Sequence, residues 1–189
     1  MEGTNKKQPL FWINPNTRLN FPYFRIEWCF MPGTTGVQLF PSDDYSVLYI
    51  AYADDVRFDD IRLQSTLRVG IRDTVIKRAS QVLPHRFHEL ENKHQLWAKS
   101  VTVKKLRKGV LGQCSHDCHI VLSPIIVILP SAMMDAIILH EMAHLKYHHH
   151  RKSFWSFLST LLGVDAKEQN TLSDIVLSKY WELYVFLMK

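Results

Sequence analysis

Hydrophobic positions follow two different periods along the 189-residue chain. The first third favours strands. β-Branched and aromatic residues gather at Tyr23–Phe30, Val37–Phe40 and Tyr45–Ala53, and Met31 to Gly36 is turn material. Helical spacing takes over at Ile61. Leu63, Leu67, Ile71, Val75, Ile76, Ala79 and Leu83 predict an amphipathic helix over 61–82. Pro84 is expected to end it, with a second helix over His85–Lys93. Ser100–Leu106 and His119–Leu122 predict further strands, with a turn-rich link from Gly109 to Cys118 between them. Ser131–Tyr147 has no internal Gly or Pro and is rich in Met, Ala, Ile and Leu, so it predicts a mostly buried helix. A short helix stopped by Gly163 and a last one over Thr171–Leu187, capped by Thr171 or Ser173, complete the pattern.

Composition adds a frame. At 47% hydrophobic, the chain can build one core. We expect a loosely ordered lead-in over residues 1–20, with Phe11, Trp12 and Ile13 docked on the body, and a single domain over 21–189. A net charge of +5 permits contact with nucleic acid without demanding it. Arg62, Arg68, Arg72, Lys77 and Arg78 read as the solvated face of a helix. Lys99, Lys104, Lys105, Arg107 and Lys108 read as strand-edge cations, with a phosphate or nucleic-acid backbone as the alternative. Asp54, Asp55, Asp59 and Asp60 read as turn and cap residues. Three cysteines suit a reducing, cytoplasmic setting. No long apolar run follows Lys6 and Lys7, so no signal peptide is expected. No uninterrupted apolar run of about 18 residues occurs, so no membrane partner is expected. The apolar last helix must meet the domain or a second copy, which makes a homo-oligomer one expectation.

The chemistry gathers at His140-Glu141-Met142-Ala143-His144, followed by His148, His149 and His150. Five of the ten histidines fall in this run. Positions i and i+4 share one face of a helix, so His140 and His144 can present two ring nitrogens to one ion. Glu141 then leans over the open side of that ion as general base. A hydrolytic zinc site takes three protein ligands. His150 is the first choice for the third; His148, His149, Glu168 and Glu182 are the alternatives. The second-to-third spacing equals that of the metzincins, but Tyr147 stands where their pattern has Gly, so no metzincin is read. Cys114 and Cys118, with His116 and His119, lack a second cysteine pair and read as a hairpin with a buried Cys114.

These residues resemble the YgjP-like metallopeptidase family, a relative of the SprT-like proteases. Its run is close to H-E-L-A-H-L-x4-H-x3-F-W, matched by His140 to Leu145, His150 and Phe154-Trp155. Its W-G-S-C-S and I-x-L-N segments are similar to Leu111–Ser115 and Ile120–Ser123. Its L-P, following Asp, and Y-L-P-x-R match Leu129-Pro130, Asp135 and Val82–Arg86. The departures are Leu111 for Trp and Gln113 for Ser. The likeness spans about residues 45–165.

The resemblance implies an α+β, zincin-like fold: a small, mostly antiparallel sheet beside the H-E-x-x-H helix, with an edge strand aligning an extended substrate. Ile120–Ser123 is the candidate for that strand. It implies a zinc-dependent hydrolase acting on a peptide or protein, with Zn2+ on His140, His144 and His150 and Glu141 as base. Another divalent transition metal would also suit three imidazoles. Two alternatives stand beside it. One is a nucleotide pyrophosphatase using the same metal with Lys104, Lys105, Arg107 or Lys108 on phosphate. The other is a non-enzymatic nucleic-acid module with structural zinc.

Overall fold

The computed structural model describes residues 11–188. Its elements run β1 (Arg25–Phe30), β2 (Val37–Pro41), β3 (Val47–Tyr52), α1 (Ile61–His94), β4 (Ser100–Val103), β5 (Gly112–Cys114) and β6 (His119–Leu122). A 3-10 turn (Pro124–Ile128) leads into α2 (Ser131–Ala143), α3 (Lys152–Leu162) and α4 (Ala166–Met188). The class is α+β, as expected. The sheet is not one mostly antiparallel layer. There are two three-stranded sheets, ordered β1-β3-β2 and β4-β6-β5, each with one parallel and one antiparallel pairing.

The candidate edge strand also moves. Ile120–Ser123 falls on β6, the centre of the second sheet, where Ile120 and Leu122 are fully buried. The edge facing α2 is β5, within the segment expected to be turn. Gly-Gln-Cys is too short and too weak in strand propensity to announce itself.

Pro84 does not end the first helix. α1 is one 34-residue element with Pro84 inside it, about 50 Å long at 1.5 Å per residue. Leu67, Ile71, Val75, Ala79, Leu83, Phe87 and Leu90 form one continuous buried stripe. The carbonyl that Pro84 leaves without its helical donor belongs to Ser80, an exposed residue. Burial of the stripe outweighs the lost bond. Asp60 caps the start, its side chain accepting from the Arg62 N–H at 2.6 Å. The basic face of α1 is partly structural. Arg78 donates to the Tyr23 and Asp44 carbonyls at 2.9 and 3.1 Å, tying α1 to the first sheet.

Residues 1–10 of the expected lead-in lie outside the described residues. From Phe11 onward the chain is held: Ile13 is fully buried, and Gln64 both accepts from its N–H (2.9 Å) and donates to its carbonyl (2.7 Å). The last helix begins earlier than expected. Asp165, not Thr171 or Ser173, caps it, accepting from the Lys167 and Glu168 N–H groups at 2.9 Å each. Leu183, Tyr184, Phe186 and Leu187 bury the end of α4 in the core, so much of its apolar surface meets its own domain. No described helix is long and apolar enough to cross a membrane.

α2 is fixed from below by Arg86 of α1. Its Nε and Nη2 donate to the two oxygens of Asp135 at 2.7 and 2.6 Å. This fork holds the N-terminal half of α2 against the long α1, so the functional helix inherits its orientation. Arg86→Ala and Asp135→Ala should each cost about 1–2 kcal/mol for this half-exposed pair. Urea unfolding of the two single variants and the double should give a coupling near 1 kcal/mol, whereas strict additivity would remove the fork from the account of stability.

Candidate metal centre

His140 and His144 sit on the last turn of α2, and the regular helix stops at Ala143 rather than at Tyr147. His144 closes it with right-handed backbone angles, which preserves the i, i+4 stacking. The chain then folds back. The Tyr147 N–H bonds to the Ala143 carbonyl at 3.0 Å, and the Tyr147 carbonyl meets His144 Nδ1 at 2.8 Å. A carbonyl only accepts, so Nδ1 carries the proton and Nε2 keeps its lone pair. His150 returns on this turn. The Trp155 indole N–H holds the His150 carbonyl at 3.0 Å from the first turn of α3.

The three rings converge. His140, His144 and His150 place one ring nitrogen each within 4.8 Å of one another, the only such His, Cys, Asp or Glu group among the described residues. His140 Nε2 and His150 Nε2 are 3.0 Å apart. Ligand nitrogens on a tetrahedral zinc with bonds of 2.0–2.1 Å lie about 3.3 Å apart. The donor set therefore fits a divalent ion of zinc size. Phe154 forms the floor: it is fully buried, stacks on His144 at 4.6 Å and meets the edges of His140 and His150 at 5.0 and 4.6 Å. Burial, aided by the two neighbouring imidazoles, pushes the His140 pKa down to about 4, and that of His144 is lowered as well. Both are neutral near pH 7, the form that donates to a metal.

Glu141 lies beneath β5. A Cβ added to Gly112 would fall 2.5–2.7 Å from Glu141 Cγ, Oε1 and Cδ. Only glycine lets this edge strand pass so close to the carboxylate. Glu141 is 7% exposed, and no basic side chain pairs with it among the described residues. Burial pushes its pKa up to about 7. A divalent ion beside it would favour the carboxylate again.

Two cavities meet at this point, sharing Gly112, His140 and Glu141. One, of about 360 Å³, opens towards α3 and α4. The other, of about 290 Å³, is lined by all three converging histidines and by His116 and His148, whose rings pack 4.6 Å apart. His148 lines this cavity without joining the converging group, and His149 packs on Tyr147 at 5.9 Å. Glu168 and Glu182 lie on α4 and take no part in it. Cys114 is half-buried and its thiol is pushed up to about 11, chiefly by burial. The basic cluster is elsewhere: Lys105, Arg107 and Lys108 line a separate cavity with Tyr184, Val185 and Met188. The roles of Gly112 and Phe154 escaped the reading of motifs, although both stand at positions where the family segments already matched.

Without a bound ion, Glu141 and His140 should tilt stability in opposite directions with pH. Glu141 keeps its proton to about pH 7 when folded and loses it near 4.5 when unfolded, so its contribution falls as pH rises through that window. His140, neutral down to about pH 4 when folded and titrating near 6.5 when unfolded, adds stability as pH rises from 4 to 6.5. Glu141→Gln should therefore stabilise chelator-treated protein by about 2–3 kcal/mol at pH 8 and change little at pH 4. Urea titrations at the two pH values check this; equal effects at both would mean that the carboxylate is solvated.

A family model described as YgjP-like, metallopeptidase domain matches residues 37–174. No curated protein and no solved structure matches the chain. The matched span runs from β2 into α4 and holds all three converging histidines, Glu141 and Gly112. The chain therefore belongs to the YgjP-like family of metallopeptidase domains.

Proposed function

We propose that the protein is a zinc-dependent peptidase in which His140, His144 and His150 hold the metal and Glu141 is the general base. The observation that carries this is the meeting of three imidazoles with one buried carboxylate against a sheet edge. A bound divalent ion supplies Lewis acidity and lowers the pKa of water from about 15.7 towards about 7. Every other task falls to the chain. Among the described residues β5 pairs only with β6, so its outer edge offers backbone groups to an extended peptide. Glu141 takes the proton of the attacking water and passes it to the leaving nitrogen, so the carboxylate is restored at each turnover. Gly112 keeps the peptide-binding edge in contact with that carboxylate. Phe154 holds the imidazoles in place and excludes water from beneath them.

Elemental analysis of untagged protein should find one zinc per chain, and His150→Ala should lose it. Undiminished metal in that variant would move the third ligand elsewhere. Glu141→Gln should keep the metal and lower cleavage of denatured casein by about 10²–10⁴-fold. Release of pyrophosphate from a nucleoside triphosphate without peptide products would reject the peptidase reading.

Gly112→Ala offers a second check. It should leave zinc content intact and cut casein cleavage at least about tenfold, because the new methyl drives Glu141 or β5 aside. Wild-type turnover in that variant would show that the contact has no part in the reaction.

A further inference from the structure

We infer that the cleft between α2, α3 and α4 is a specificity pocket that takes a large aliphatic or aromatic side chain of an extended substrate, next to the bond that is cut. This rests on the peptidase reading and adds the class of residue recognised.

Placement comes first. The cleft shares Gly112, His140 and Glu141 with the histidine-lined cavity. A backbone laid along β5 past Gly112 therefore meets this cleft on one side of Glu141 and imidazoles on the other. α2 contributes Met133, Ala136 and Ile137 at i, i+3 and i+4, the same stripe that continues to His140 and Glu141. α3 contributes Leu158 and Leu162, again one turn apart. The wall nearest the reacting bond is thus apolar on two helices. No lysine or arginine lines it. At about 360 Å³ the cleft has room for a large side chain.

The orientation of α4 supports an occupant. Between Ala166 and Leu177, which also line the cleft, this helix turns Gln169, Asn170, Ser173 and Asp174 to it while leaving Leu172 and Ile175 51% and 54% exposed. A helix packed for stability alone would be rotated to bury those two residues. Its amides and hydroxyl instead line the cleft, where the peptide groups flanking an inserted side chain need partners. Asp174, the one carboxylate it brings, is exposed at the rim and has Asn170 Nδ2 at 3.4 Å. It lies outside the apolar wall and is open to solvent.

The test uses zinc-loaded full-length Glu141→Gln protein, so that binding is measured without turnover. Fluorescent peptides identical except for one central Phe, Leu, Gly, Asp or Lys are titrated by anisotropy. Phe and Leu should bind about tenfold more tightly than Gly. Ala136→Phe, which fills the cleft from α2, should abolish that preference with zinc content unchanged. Leu162→Trp does the same from α3 should the first variant fold poorly. Equal binding of all five peptides, failure of all five to bind, or a lysine preference set by Asp174 would each overturn the pocket. Cleavage of the same peptides by wild-type protein reports separately: cleavage without side-chain preference sinks only the pocket, whereas selective binding without cleavage sinks only the peptidase.

Discussion

The close pass of β5 over Glu141 is the contact on which the site depends. A carboxylate buried in an apolar helix needs a reason to be there, since burial disfavours its charge. Gly112 supplies the setting: with no side chain, the strand lies directly on the acid and seals it from bulk water while leaving the outer edge of the sheet open. The remaining parts follow from that contact. α2 must be held at a fixed angle, which the Arg86–Asp135 fork does. The turn after His144 must come back over the same face, which the Tyr147 carbonyl and the Trp155 indole arrange. Phe154 fills the space beneath, so three imidazoles crowd together without a polar group stranded among them.

The site was more legible in the sequence than the fold around it. Helical spacing places His140 and His144 on one face by geometry alone, and a third histidine two turns on has few other places to go. Most helices and the longer strands also showed their periods. What failed were the points where tertiary packing overrules a local signal. Pro84 reads as a break, yet a buried stripe on both sides of it holds α1 together and the carbonyl it frees belongs to an exposed residue. The resemblance made Ile120–Ser123 the candidate edge strand, yet this segment falls on β6, which β4 and β5 pair on either side. β5 has three residues and one of them is glycine, so nothing local marks it. Gly112 carries meaning only once Glu141 is known to lie beneath it.

Charge is distributed unevenly with respect to this site. The net charge is +5, but no lysine or arginine lines either cavity that meets at Glu141. Arg78 and Arg86 are engaged in joining elements, and Lys108 lies over the Trp181 ring at 5.3 Å. The excess of cations is therefore a property of the scaffold and its outer surface, and the reacting region is left to imidazole and carboxylate.

The two ends of the described chain meet. Phe11 packs on Phe186 at 5.6 Å and Phe21 on Tyr180 at 6.2 Å, while β1 completes the first sheet by pairing in parallel along all of β3. All of these partners except β3 lie outside the residues that the family model matches. Head and tail thus pack together as an accessory layer against the family-matched unit. A fragment trimmed to the shared core would strip both halves of that layer at once, leave β3 with a bare edge and uncover the apolar surface under α4. The segments that look most like optional extensions are, in mechanical terms, the clasp that keeps this small enzyme-like core from sticking to its neighbours.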